Sequence, residues 1–212
     1  MSSTELVGRY LAERARLNVF APLALLVACA GAFTAHGVAS ANAFGVATVQ
    51  ALLLIVAFRV WDDLEDRDRD AREHPERVMV RAGRVSPFVG LACALALGGL
   101  VPTMLSPQPG RLGAVVAGAA VLFVWYRVRP KPATGVVGGH IVLLKYPAIA
   151  LSVAPSVPSP AVLASLYLVL CVYECFDDPS LRASIVARRI AFAELALVPL
   201  IISAAYLGGT LP

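Results

Sequence analysis

Charge is scarce in this chain, and its absence excludes most soluble architectures. Of the 212 residues, 15% are charged and 58% are hydrophobic, and the mean hydropathy is +0.75. The runs NVFAPLALLVACAGAFTA, SPFVGLACALALGGLV and AELALVPLIISAAYL carry almost no charge. Their lengths suit membrane-crossing helices, which need about 20 mostly apolar residues. The composition therefore predicts a polytopic membrane protein and leaves no segment for a soluble domain.

Cysteine is also scarce, and its spacing argues against disulfide or zinc chemistry. The four cysteines fall in or at the ends of apolar stretches and form no Cys-x-x-Cys pair; they are Cys29, Cys93, Cys171 and Cys175. Isolated cysteines in such positions usually act as small apolar packing residues. We therefore expect neither disulfides nor a zinc site.

Seven apolar stretches predict an all-α transmembrane bundle of about seven spans. The breakers PQPG, RPKP and PSVPSP separate several of them, because proline and glycine end helices. The predicted spans lie at about residues 17–36, 43–61, 86–104, 111–127, 135–153, 160–176 and 189–208. We treat residues 1–212 as a single transmembrane domain. It carries an acidic loop at 62–85 after the second span and a second acidic site at 174–182 after the sixth.

Positive charge is nearly absent from one side of this predicted bundle. Of the eighteen Lys and Arg residues, sixteen lie in the N-terminal segment or after the even-numbered spans, Arg111 lies on the other side, and Lys145 lies within a span. The positive-inside rule places the N-terminus and the basic loops in the cytoplasm and the C-terminus outside. The pI near 9.1 reflects this bias, so it does not indicate a nucleic-acid partner. We expect an integral protein of a plasma membrane, such as the bacterial inner membrane.

Negative charge is concentrated in one stretch, WDDLEDRDRDAREHPE at residues 61–76, which holds eight of the fourteen Asp and Glu residues. If the second helix continues through it, Asp63, Asp66 and Asp70 share an arc of about 60°, and Arg59 lies one turn earlier on the same face. Clustered carboxylates repel one another unless cations lie among them, and Mg²⁺ holding a substrate phosphate needs such a cluster. The alternative is a solvated loop with Arg and Asp in surface pairs.

A second acidic cluster ends the sixth predicted span, in CVYECFDDPSLRAS. Glu174, Asp177 and Asp178 lie within about 100° of one another on a helix, again at the predicted cytoplasmic end. Ionisable residues at membrane depth are functional by default. The two clusters together predict one metal and diphosphate site shared between the second and sixth spans.

These motifs resemble those of the UbiA superfamily of intramembrane prenyltransferases. Residues 62–70, DDLEDRDRD, resemble the family's (N/D)DxxDxxxD motif, and residues 74–86 resemble the conserved segment that follows it. Glu174-x-x-x-Asp178 resembles the family's second motif, DxxxD, with one substitution, and residues 126–131 resemble its basic stretch after the fourth helix. The resemblance covers all seven predicted spans, so the chain looks like a short, seven-helix variant of a nine-helix plan.

The resemblance implies an Mg²⁺-dependent enzyme that ionises an isoprenyl diphosphate and transfers the prenyl group to an aromatic or lipid-like hydrophobic acceptor. The implied ligands and catalytic groups are Asp63, Asp66, Asp70, Glu174 and Asp178, with Asp177 as a further metal ligand. The implied diphosphate contacts are Arg59, Arg77, Lys131, Lys145 and Arg182. The site would lie on the cytoplasmic side, among membrane lipids. A shortened bundle would expose a flank, for which we expect a homo-oligomer or a membrane partner that uses small residues such as Gly113, Ala117 and Gly118.

Several alternatives stay open. A UbiA-like terpene cyclase would use the same metal and cation chemistry, and a noncatalytic relative would serve as a membrane scaffold or lipid-binding subunit. A CDP-alcohol phosphotransferase is excluded because no glycine follows Asp66 as its motif requires. Lys145 would contact the diphosphate or acceptor, or would form a structural pair, for which Glu194 is a possible partner. His140 is expected to be a hydrogen-bonded packing residue.

Overall fold

A computed structural model describes residues 2–34, 37–106, 108–129, 135–209 and 211. The first six helices in this part of the chain are α1 (Ser3–Arg14), α2 (Leu17–Ala32), α3 (Ala41–Glu65), α4 (Arg67–Glu73), α5 (Val78–Arg81) and α6 (Ser86–Met104). The next six are α7 (Pro109–Val128), α8 (Val136–Leu143), α9 (Lys145–Val153), α10 (Pro160–Asp177), α11 (Pro179–Ala183) and α12 (Ile185–Leu207). Two short antiparallel strands, β1 (Phe33–Thr34) and β2 (Gly37–Val38), pair with Phe33 opposite Val38.

The long helices form the expected all-α transmembrane bundle. Among the described residues, six helices are long and apolar enough to cross a membrane, with α8 and α9 together counted as one span. The number is seven if α1 and α2, which meet at a bend of 71°, count as a single broken span. Many large apolar side chains on these helices are exposed, for example Leu97, Phe192 and Leu200. An apolar outer surface suits a lipid environment, so the protein is an integral membrane protein.

The N-terminal helix α1 was not predicted from the sequence. Ser2 caps α1 by accepting a hydrogen bond from the backbone N–H of Glu5, and the helix buries Leu6 and Tyr10 on one face. This pair, four residues apart, packs in a cluster that includes Val60 and Phe88. Charged residues lie between the apolar residues of α1, so the helix contains no long apolar run that would have marked it in the sequence.

The acidic stretch is not one continuous helix. α3 ends at Glu65 and α4 begins at Arg67, with Asp66 between them at ψ near 1°. The calculation that put Asp63, Asp66 and Asp70 on one arc assumed continuous helical geometry, and the break after Asp66 means that it does not apply to Asp70. The first predicted span also ends earlier than expected, at Ala32 instead of residue 36, where the short strand β1 follows.

Small residues bring the central helices into close contact. A Cβ atom at Gly31 of α2 would lie 2.8 Å from the carbonyl oxygen of Ala150 on α9, and one at Gly118 of α7 would lie 2.8 Å from the Cβ of Ala148. Such close approach is typical of membrane helix interfaces. Gly118 is therefore used inside the bundle, which corrects its assignment to an oligomer surface. Among the described residues, no neighbour lies within 4 Å of a Cβ atom at Gly113.

The charge asymmetry predicts the orientation of this bundle. We expect a reporter that is active only in the cytoplasm to give a signal when fused before Met1 and none when fused after Pro212, because basic residues are retained in the cytoplasm during insertion. Both fusions are measured in the same cells, with immunoblotting to equalise expression. A cytoplasmic signal at both ends would mean an even number of spans and would contradict the predicted orientation.

Candidate functional site

The carboxylate of Asp63 is buried near the end of α3 and is held by groups from two helices. The Tyr10 hydroxyl donates to it at 2.8 Å, and the Arg14 guanidinium donates to both carboxylate oxygens, from Nε at 3.0 Å and Nη2 at 2.8 Å. Arg59, one turn earlier on α3, lies 3.1 Å away. Asp63 is thus compensated by two cations, and α1 supplies one of them.

Asp62 points into the bundle and forms a buried ion pair with Lys145 of α9. The two residues are 9% and 5% exposed, and the Tyr126 hydroxyl donates a second hydrogen bond to Asp62. A lysine at membrane depth needs a partner, and the sequence suggested Glu194. That suggestion is wrong, since the ammonium group lies on Asp62 and Glu194 hydrogen-bonds to His140.

Asp66 and Asp70 are paired with cations on either side of the helix break. Arg129, just after α7, donates to Asp66 at 2.6 Å, and Arg69 lies 3.2 Å from the other oxygen. Asp70 is 3% exposed and forms an ion pair with Arg77. Its Oδ1 is buried and has no hydrogen-bond partner among the described residues. Asp70 therefore keeps an unsatisfied oxygen, of the donor type that Mg²⁺ prefers.

The second acidic cluster is less buried. Asp178 begins α11, where its carboxylate accepts hydrogen bonds from the backbone N–H of Ser180 at 2.7 Å and from that of Leu181 at 3.3 Å. Partial burial acts to raise the pKa of Asp178, but these hydrogen bonds and the charge of Arg69 outweigh it and lower the pKa below its ordinary value. Asp178 thus stays ionised at neutral pH. Asp177 is exposed and accepts a hydrogen bond from Tyr173 at 3.5 Å.

The charges of the two clusters act on one another through space, with no ion pair between the clusters among the described residues. Glu174 is half-buried and interacts with the charges of Lys145 and Arg59, which contact Asp62 and Asp63. The interaction of Arg69 with Asp178 makes a second link, from α4 to the start of α11. The ends of α3, α4 and α10 therefore contribute to one polar region. Arg182 is exposed on α11, and Lys131 lies outside the described residues.

The predicted metal ligands are not gathered around one point. In the described part of the chain, Asp63, Asp66, Asp70, Glu174 and Asp178 do not form a group whose ligand atoms lie within 4.8 Å of one another. Ion pairing explains the separation, because the three aspartates of the first motif each accept from a different arginine. The oxygens are chemically suited to Mg²⁺, and the unsatisfied Oδ1 of Asp70 fits such an ion.

Several contributors to this region were not selected as site residues from the sequence, among them Tyr10, Arg14, Asp62 and Arg129. Arg129 lies in the basic stretch at 126–131, in which Lys131 was the predicted diphosphate contact. Tyr126 is the first residue of the same stretch. The cluster of basic residues could have indicated Arg129. No local pattern could have indicated Tyr10 or Arg14, because their contact with Asp63 joins residues 49 or more positions apart.

An apolar helical bundle with acidic and basic side chains gathered at the ends of its helices has the features of an integral membrane protein with a polar site. Residues 23–176 match the sequence model of the UbiA prenyltransferase family, and the chain belongs to that family. The match contains the whole first acidic motif and ends between Glu174 and Asp178. No curated protein and no solved structure was found to match the chain. The family resemblance predicted from the motifs is confirmed, and it implies an intramembrane activity of the prenyltransferase type.

Proposed function

We propose that this protein transfers a prenyl group from an isoprenyl diphosphate to a hydrophobic acceptor, using the polar region at the ends of α3, α4 and α10. The strongest support for this proposal is a set of ion pairs between carboxylates and cations at the ends of the membrane-spanning helices. Arg14, Arg59, Arg77, Arg129 and Lys145 all lie on carboxylates of the first motif. A diphosphate bears several negative charges and needs both kinds of group, the cations directly and the carboxylates through a metal.

The carboxylates of Asp66, Asp70, Glu174 and Asp178 would hold Mg²⁺. When bound, Mg²⁺ would supply charge neutralisation to the diphosphate as it leaves. Arg77 and Arg129 would then turn from their aspartates to the diphosphate oxygens. Their flat guanidinium groups suit bidentate contact with phosphate. Each aspartate would then be paired with Mg²⁺ in place of its arginine, and each arginine with the diphosphate, so no buried charge would lack a partner.

The reaction would begin with heterolysis of the allylic C–O bond. The bonding electron pair goes to the diphosphate oxygen, where the arginines stabilise the new charge, and an allylic cation remains. The acceptor's electron pair forms the new bond to this cation, and the acceptor loses a proton. The aromatic rings of Phe58, Trp61 and Tyr126 lie in succession beside Asp62, with centroids 5.9 and 5.8 Å apart. Aromatic faces attract cations and exclude water, so they would protect the allylic cation.

We infer that the site faces the cytoplasm, because sixteen of the eighteen Lys and Arg residues lie on its side of the predicted bundle. Isoprenyl diphosphates are charged and would approach from that side, while the isoprenoid tail and the acceptor would enter from the membrane. The alternatives of a terpene cyclase and a noncatalytic scaffold make different predictions for the products of the same experiment.

The proposal predicts diphosphate release and a prenylated product. Purified protein in lipid discs, supplied with Mg²⁺, geranyl or farnesyl diphosphate and an extract of membrane lipids, should release inorganic diphosphate. Mass spectrometry should detect a lipid that has gained one prenyl mass. Asp70→Asn should lower the rate about a hundredfold or more, because it removes a buried charge at the reacting end.

Glu73→Gln is the matched control, since Glu73 lies on the same short helix with its side chain 54% exposed, and it should leave the rate unchanged. A cyclised hydrocarbon in place of a prenylated lipid would favour the cyclase. Equal rates for wild type and Asp70→Asn, or no release by the wild type, would contradict the enzyme and leave the scaffold.

A further inference from the structure

A second polar cluster lies away from the acidic motifs, between α8, α10 and α12. His140, Cys171 and Glu194 come from these three helices, and each offers a ligand atom within 4.8 Å of the other two. Cys171 is 2% exposed and Glu194 is 8% exposed. Such a group of imidazole, thiol and carboxylate in a membrane span is costly to bury, so it calls for a function.

The geometry of His140 leaves one ring nitrogen directed at this cluster. Its Nδ1 lies 2.6 Å from the backbone carbonyl oxygen of Val136, an acceptor, so Nδ1 carries the proton. Nε2 is then a lone-pair atom unless the ring is protonated, and it lies 2.5 Å from Oε1 of Glu194. A histidine that binds a metal usually donates its other N–H to a carbonyl or carboxylate in this way. Two electron-rich atoms at this distance need a shared proton between them, or a metal ion that takes the place of that proton.

Glu194 supplies a second and independent indication. Its Oε2 is buried and has no hydrogen-bond partner among the residues that the structure describes. The described ion pairs give Glu194 only His140, with no lysine or arginine. A buried carboxylate oxygen without a partner costs free energy that a metal ion would offset.

The space inside the cluster suits a single ion. The three side chains of the cluster line a cavity of about 10 Å³, together with Glu174, Cys175 and several apolar residues. That volume is about one water-sized sphere, which is too small for a prenyl group or an organic acceptor.

We propose that His140, Cys171 and Glu194 bind one divalent transition-metal ion of the zinc class. Nitrogen, thiolate sulfur and carboxylate oxygen form a borderline donor set that favours zinc over magnesium. A thiolate and a carboxylate together balance the two positive charges, so the bound site is neutral in a membrane span. Metal bonds of about 2.0 to 2.3 Å in tetrahedral geometry set ligand atoms about 3.3 Å or more apart, so Nε2 of His140 and Oε1 of Glu194, now 2.5 Å apart, would separate as the ion enters.

The ion would fasten α12 to the bundle. α12 packs on α10 and α11 and buries few residues, namely Ala187, Ala191, Glu194 and Ala205. Because the other two ligands lie on α8 and α10, the ion would connect α12 to both of these helices. Because each ligand lies on a different helix, sequence spacing gave no sign of the site and argued against zinc.

Cobalt binding to the full-length protein in detergent tests the proposal, because Co²⁺ replaces Zn²⁺ and a thiolate ligand gives a charge-transfer band in the near ultraviolet. We expect the band to saturate at one Co²⁺ per chain, to disappear on adding Zn²⁺, and to survive excess Mg²⁺. Cys171→Ser should abolish it. Cys175→Ser is the matched control, one turn further along α10 and also buried, at 5% exposure, and it should keep the band. No band in the wild type, or an equal band in Cys171→Ser, would overturn the proposal.

Thermal unfolding gives a measurement that does not depend on the thiolate. Zn²⁺ should raise the melting temperature of the wild type, and Glu194→Gln should weaken Zn²⁺ binding by about tenfold or more. Glu174→Gln, which changes a carboxylate near the same cavity but outside the ligand set, should keep the Zn²⁺ response. Circular dichroism before heating shows that each variant is folded. Equal Zn²⁺ affinity in Glu194→Gln and wild type would exclude Glu194 as a ligand.

Discussion

Asp66→Asn is expected to abolish the joint stabilisation of the protein by Mg²⁺ and geranyl diphosphate. A ligand at a hundredfold excess over its dissociation constant stabilises the folded state by about 2.7 kcal/mol, and neither Mg²⁺ nor the diphosphate alone should do as much. Asparagine removes the charge that the metal needs but keeps the size of the side chain and an oxygen that can accept from Arg129. The variant should therefore fold and lose only the ligand response.

Thermal unfolding in detergent, with and without both ligands, measures this effect. Asp68→Asn is the control, because Asp68 is exposed on the same short helix, and its response should match that of the wild type. The same shift in wild type and Asp66→Asn, or a shift in neither, would mean that the acidic stretch binds no metal diphosphate.

Lys145→Met is expected to destabilise the protein by about 3–5 kcal/mol, the usual cost of removing one partner from a buried ion pair. Methionine fills a similar volume, so the loss comes from the charge. Without the ammonium group, the buried carboxyl group of Asp62 loses its charged partner and, among the described residues, keeps the hydrogen bond from Tyr126. Denaturation in mixed micelles, followed by circular dichroism, measures the free energy of unfolding.

The double variant Lys145→Met with Asp62→Asn tests whether the destabilisation comes from breaking the ion pair between these two residues. Removing the stranded anion should recover a large part of the lost stability, because two residues in contact couple strongly. Arg182→Met, on an exposed side chain of α11, should change stability little. A loss in the double variant equal to the sum of the two single losses would show that Lys145 and Asp62 are not paired.

Much of the polar region could be predicted because its residues lie in local patterns. Asp63, Asp66 and Asp70 stand out as charges directly after an apolar run, and Glu174 and Asp178 stand out in the same way. Their partners could not be predicted. Arg14 reaches Asp63 and Arg129 reaches Asp66 across 49 and 63 residues, so the contacts depend on how distant helices are placed. The angle calculation does not extend to Asp70 for a related reason, since α3 ends at Glu65 and a new helix, α4, begins at Arg67.

The sequence by itself determined the membrane class, the all-α bundle and the family, because hydropathy and motif spacing are properties of consecutive residues. The tertiary structure alone decided that Lys145 pairs with Asp62 and that His140, Cys171 and Glu194 meet between three helices. These outcomes depend on the rotation and depth of each helix relative to its neighbours. Rotation and depth are set by packing between distant segments, such as Gly31 against the backbone of Ala150, and no stretch of consecutive residues encodes them.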